Sequence, residues 1–180
     1  MRPTTPRKPL VLAIHPNFSG FGWIAVEGPL SVHDWGVPRI RIDKNSNSLK
    51  RIEMLIDRLR PETLVLESFD PHTSVRRERI TKLCRATVAL AQDRGVEVAV
   101  FSRDEVRTTF ADIGAQSRQQ IAEAVARHLP ALRGRLPRKR KAWETDSHNM
   151  ALFSAMAVAL TYFRLSCAAL LDDLREDAAT

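Results

Sequence analysis

The sequence predicts an α/β layered domain on a mixed sheet, and three observations carry that expectation. Short continuous runs of apolar, mostly branched residues, "LVLAI" at Leu10–Ile14, "TLVLESF" at Thr63–Phe69 and "GVEVAVF" at Gly95–Phe101, read as strands buried within a sheet. Between and after them apolar residues recur at helical spacing. The first run is followed by a turn and further strand material, so an antiparallel meander precedes an alternation of helix and strand.

Residues 1–8 combine proline with three basic residues and have almost nothing to bury, which reads as a flexible basic tail. The folded domain is expected over 9–165, with a helix end and acidic tail over 166–180. "LVLAI" is the first strand, and His15 stands where its apolar run ends. After a turn at Pro16, Asn17 and Ser19, "GFGWIAVEG" (20–28) is the second strand, its glycines permitting close approach. "LSVHDWGVPRIRI" (30–42) supplies the third. The period then changes. Leu49, Ile52, Leu55, Ile56 and Leu59 share a helical face, Ser46 or Ser48 is available as the cap, and Pro61 ends the helix.

"TLVLESF" delivers Glu67 at the exit of its apolar run. A helix over Val75–Arg94 sets Ile80, Leu83, Cys84, Thr87, Val88 and Ala91 on one face and Arg76, Arg77, Arg79 and Lys82 on the other. "SRDEVRTTFADIG" is a short helix with a capping box from Ser102 to Glu105, closed by Gly114. "SRQQIAEAVARHLP" is a helix capped by Ser117 and ended at Pro130. Arg133 to Lys141 is a basic loop. The final helix starts near Asp146, carries Met150, Leu152, Phe153, Met156, Ala157, Leu160 and Phe163 towards the core, and runs towards Leu174 before a frayed acidic end.

An apolar fraction of 44% over 180 residues suits one core. No continuous apolar run reaches the ~18 to 20 residues of a membrane span, and no signal-peptide core follows the N-terminus, so a soluble, cytoplasmic protein is expected. Cys84 and Cys167 lie in apolar helical patterns without metal-ligand spacing and read as buried free thiols. Lys and Arg outnumber Asp and Glu by 28 to 21, for a net charge of +7 and a pI of about 10.1, which favours nucleic acid or another polyanion as partner.

Three segments together resemble the RuvC-type Holliday-junction resolvases of the ribonuclease H-like superfamily. "LAIHPNFSGFGWIAVEG" is similar to a first motif in which an apolar strand ends in Asp-Pro before a small-residue turn and a glycine-rich strand. "LVLESF" resembles a buried strand ending in a catalytic glutamate, and "TDSHNMALFSAMAVAL" resembles a helix start with two acidic residues three apart. "SRQQIAEAVARHLP" is similar to the helix the family places between the last strand and that final motif, so the likeness runs from Leu10 to Phe163. It implies a ribonuclease H-like three-layer fold, with a central mixed sheet of about five strands flanked by helices.

The family's chemistry, as the resemblance implies it, is phosphodiester hydrolysis with two Mg²⁺ or Mn²⁺ ions held by carboxylates about 4 Å apart. Carried over residue by residue, the catalytic positions are His15, Glu67, Asp146 and Asn149, and the metal-binding ones Glu67, Asp146 and His15. Two depart from the pattern, since His15 stands where an aspartate belongs and Asn149 where a second helix acid belongs. Imidazole favours softer ions than Mg²⁺, and the pocket loses two negative charges. Asp70, Glu144 and His148 are spare candidates for a missing ligand.

Each residue also has a plain structural reading. His15 can hydrogen-bond a neighbouring loop, Glu67 can pair with an arginine, and Asp146 can cap the last helix. Trp23 and Trp35 read as packing residues. Arg133, Arg135, Arg138, Lys139, Arg140 and Lys141, ending beside Trp143, are the candidate contacts to DNA, with Arg76 and Arg77 bordering the same groove. The expected function is metal-dependent cleavage of branched or duplex DNA by an altered site, with a homodimer implied by the resemblance. The alternative is a DNA-binding protein that kept the fold without the nuclease activity. A nucleotide-binding role is disfavoured because the first turn lacks a "DxGTT"-like sequence.

Overall fold

The computed structural model describes residues 9–68, 75–141 and 143–178, apart from the side chains of 75–77 and 168–178. Strands β1 (Val11–Asn17), β2 (Gly20–Gly28) and β3 (Ser31–Gly36) form the meander. Helix α1 (Lys44–Leu59) leads to β4 (Thr63–Glu67), and α2 (Val75–Asp93) leads to β5 (Glu97–Phe101). Helices α3 (Arg103–Ala111) and α4 (Arg118–His128), a 3-10 turn over Pro130–Arg135 and α5 (Met150–Ala178) complete the chain. The five strands lie in the order β3-β2-β1-β4-β5, antiparallel through the meander and parallel from β1 to β4 to β5.

Period-2 alternation divides the core into two layers. Val11, Ala13, Ile24, Val26 and Val65 point towards α3, α4 and α5, whereas Leu12, Ile14, Phe21, Trp23, Leu64 and Leu66 pack on α1 and α2. The sheet is thus covered on both faces, as the mixed α/β reading requires. Helix α5 lies close across β2, because a Cβ on Gly22 would sit 2.3 Å from the Ala151 carbonyl carbon. By composition, Met150–Cys167 is long and apolar enough to cross a membrane; here Ala151, Leu152, Phe153, Ala155, Met156 and Val158 bury its apolar face on the sheet.

Several local expectations need correction. β1 continues to Asn17 along β2, and only its parallel pairing with β4 stops at Ile14, so His15 is not the strand's tip. The third strand ends at Gly36, and the chain beyond it is tied back by Ile40 N–H donating to the Ser19 carbonyl. Helix α1 begins after Asp43, which adopts a left-handed conformation and gives no side-chain cap, while Ser48 is buried inside the helix. β5 is an edge strand and not a buried one, with Val100 48% exposed. The last helix starts at Met150, four residues after Asp146, and continues to Ala178. Cys84 is half-buried and Cys167 exposed. Ser102 forms the expected capping box with Glu105, and Ser117, the expected cap of α4, forms a second one with Gln120. The 1–8 tail and Asp70 lie outside the described residues.

Candidate functional site at the exit of the central strands

Alternation places His15 with Ala13, and Glu67 with Val65, on the α5 face of the sheet. Both stand one step beyond Ile14 and Leu66, the last paired positions of β1 and β4. The His15 Nδ1 atom lies 3.5 Å from Glu67 Oε2, and both side chains are buried. Burial, reinforced by the positive charges of Arg118 and Arg103, pushes the His15 pKa down to about 3. His15 is therefore neutral near pH 7, and the contact is not an ion pair. Burial raises the Glu67 pKa against the opposing pull of Arg118, Arg103 and Arg107.

Glu67 opens into a cleft of about 960 Å³ between β4, α3, α4, α5 and the segment that precedes α5. Among the described residues, six basic side chains, Arg103, Arg107, Arg118, Arg138, Lys139 and Arg140, line it against three carboxylates, Glu67, Glu144 and Asp146. Arg103 and Arg118 are each the first residue of a helix, directly after a serine cap. A cation there faces the positive end of the helix dipole, which is locally unfavourable. Two such placements bordering one cleft, with two helix N-termini behind them, make it a strongly positive surface.

Asp146 is held by two of these arginines. Its Oδ1 is 2.8 Å from Arg140 Nε, and its Oδ2 is 3.4 Å from Arg118 Nη1. Glu144 organises the loop before it, accepting from Arg138 Nη2 and from the Lys141 backbone N–H, both at 2.9 Å. His148 fastens the start of α5 to the meander. Its Nε2 lies 2.9 Å from the Val37 carbonyl, which can only accept, so that nitrogen carries the proton and Nδ1 accepts from Ser19 Oγ at 2.6 Å. Glu144 and His148 thus both have structural partners.

Of the residues expected at the site, Glu67, Asp146, Arg138, Lys139, Arg140 and Trp143 line the one cleft. His15 lies beneath Glu67, and Asn149 does not line the cleft. Asp146 and Asn149 both precede α5, so they do not share a helical face, and Asp146 is not its cap. The basic run is divided. Arg133 donates to the carbonyls of Ala126 and Arg127 at the end of α4, and Arg135 lies 5.1 Å over the Trp35 ring, away from the cleft. Lys141 sits 5.3 Å over the Trp143 ring. The side chains of Arg76 and Arg77 lie outside the described residues. Sequence reasoning missed Arg103, Arg107 and Arg118. The readable signal was "SRDE" and "SRQQ", where the same Ser-Arg pair opens two helices against the dipole.

Among the described residues, the donor set does not fit two divalent metal ions. Two ions bring four positive charges and need several carboxylate oxygens between them. Here the two mapped carboxylates face Arg118, and Asp146 is occupied by Arg118 and Arg140. No group of three or more metal-ligating side chains comes together among the described residues.

No protein-family model matches the sequence, and no curated protein does. The fold does match solved structures. A Thermus thermophilus RuvC structure aligns with a TM-score of 0.62 and 22% identity, covering 87% of this chain and 96% of that one. T. thermophilus RuvC in complex with a Holliday junction substrate aligns with a TM-score of 0.60 and 19% identity, covering 85% and 91%. The fold of this chain is RuvC-like, a three-layer domain of the ribonuclease H-like type.

Proposed function

We propose that this chain is a RuvC-like nucleic-acid-binding protein that holds the phosphate backbone of branched or duplex DNA on arginines, where a nuclease would place two metal ions. The observation that carries this reading is Asp146, whose carboxylate is paired with Arg118 and Arg140 inside a cleft where, among the described residues, basic groups outnumber acidic ones two to one. Arginines recognise phosphate oxygens in a planar, two-pronged geometry and release counterions from DNA on binding. A RuvC-like fold supports branched or duplex DNA as the class, since one structural neighbour was solved with a Holliday junction. A junction presents equivalent strands about a two-fold axis, so the bound form is proposed to be a homodimer.

The competing reading, metal-dependent hydrolysis through Glu67 and Asp146, draws on their sharing one cleft. Both are tested by titrating labelled junction and duplex with the protein, with EDTA or with Mg²⁺ or Mn²⁺, at rising salt. The expected result is EDTA-insensitive binding that weakens steeply with salt, with Arg118→Ala lowering the salt slope by about one phosphate contact. Metal-dependent strand cleavage abolished by Glu67→Ala would replace this reading with the catalytic one. Light scattering of the junction complex reads its stoichiometry.

A further inference from the structure

Trp143 is the most exposed large apolar side chain among the described residues, at 80%. Left in water, an indole gains nothing for folding, and it is a liability for self-association unless it meets a partner. Its surroundings indicate which partner. Trp143 lines the cleft beside Arg138, Lys139 and Arg140. The Lys141 ammonium stands 5.3 Å from its ring centre, so a positive charge accompanies the ring. The loop that presents it is fastened on both sides: Arg138 and the Lys141 backbone bond Glu144, Arg140 donates to the Glu144 carbonyl, and Arg140 also pairs with Asp146. Part of the cleft floor is apolar, made by Val106, Ile121, Met150 and Phe153.

We infer that Trp143 is a base-stacking residue, and that it gives this protein a preference for DNA with unstacked bases over continuous duplex. An aromatic ring on a pinned basic loop is a stacking platform: the arginines take the phosphates on either side, and the indole takes the face of a base that has left the helix. A continuous duplex keeps its bases stacked on one another and offers the ring no free face. Arginine contacts to phosphate are shared by both substrates, so the discrimination resides in Trp143.

This inference rests on the nucleic-acid reading above, and the experiment separates the two. The full chain and its Trp143→Ala and Trp143→Phe variants are titrated with a continuous duplex and with the same duplex carrying a short unpaired bulge. For the unaltered protein, bulged DNA binds tighter than duplex and quenches tryptophan emission. Trp143→Ala loses about tenfold on bulged DNA and less than about twofold on duplex, while Trp143→Phe recovers most of the difference. Unchanged melting temperatures confirm that the variants fold. Equal affinity of the unaltered protein for both DNAs, or an equal loss on both in Trp143→Ala, overturns the stacking role and leaves phosphate binding standing. Failure of the unaltered protein to bind either DNA overturns both.

Discussion

His15 Nδ1 faces Glu67 Oε2 at 3.5 Å, one step past the last paired positions of two parallel strands, with both side chains buried and Glu67 bordering the cleft. The histidine faces Glu67, Arg103 and Arg118, and burial together with the two arginines keeps it neutral down to about pH 3. Unfolding returns it to its ordinary value of 6.5. Between those values the unfolded chain binds a proton that the folded chain refuses, so stability falls as pH falls through that window. Glu67 acts in the opposite sense. Its pKa is raised above 4.5, so its contribution is present at low pH and is lost as pH rises through the folded value. Replacing His15 by Gln removes the first effect. Urea midpoints measured from pH 7 to pH 4 should fall for the natural protein and fall less for His15→Gln; identical slopes would place the acid sensitivity in other groups.

The Asp146 carboxylate competes with phosphate for Arg118 and Arg140. Asp146→Asn should therefore tighten DNA binding by about two- to fivefold at low salt, the scale of one exposed charge contact. A metal ligand would behave in the opposite way, since its loss would weaken any ion-dependent interaction. Fluorescence anisotropy in EDTA and in Mg²⁺ distinguishes the two outcomes.

Through His148, the start of α5 is tied to Ser19 and to the carbonyl of Val37. His148→Ala deletes both bonds and leaves half-buried polar atoms to find other partners, at a cost of about 1–2 kcal/mol. Denaturant titration reads the loss. Because the cleft arginines on α3 and α4 are untouched, duplex affinity should change little.

Gly22 pairs with His15 across β1 and β2 and lets α5 approach the sheet. In Gly22→Ala the new methyl group would meet the backbone of Ala151 and Leu152 at 2.3 to 2.5 Å, where no flexible side chain can yield. The expected penalty is about 1–3 kcal/mol or more, seen as a lower urea midpoint. A midpoint equal to that of the natural protein would mean that α5 can shift outward freely.

Much of the layered order was legible because periodicity is a local signal. The apolar runs at Leu10–Ile14 and Thr63–Leu66 are buried strands, and the helices capped by Ser102 and Ser117 start where their capping boxes place them. Local signals failed where the solution was not local. Helix α1 starts behind Asp43, whose left-handed backbone gives no side-chain cap, and β5 is exposed because the sheet ends there, which a five-residue apolar run cannot reveal. Arg133 and Arg138 belong to one charge run in sequence. Arg133, inside the 3-10 turn, closes the end of α4, and Arg138, beyond that turn, lines the cleft, a division made by their different partners.

The sequence by itself determined the order of strands and helices and the residue types at the exits of two central strands, because hydrophobic period and capping act within a few residues. Only the tertiary structure decided the sign of the cleft. Arg103, Arg118 and Arg140 come from three separate segments, and their charges meet Glu67 and Asp146 only when α3, α4 and the segment before α5 converge on the sheet. Electrostatic character depends on distances between residues far apart in the chain, and folding alone sets those distances.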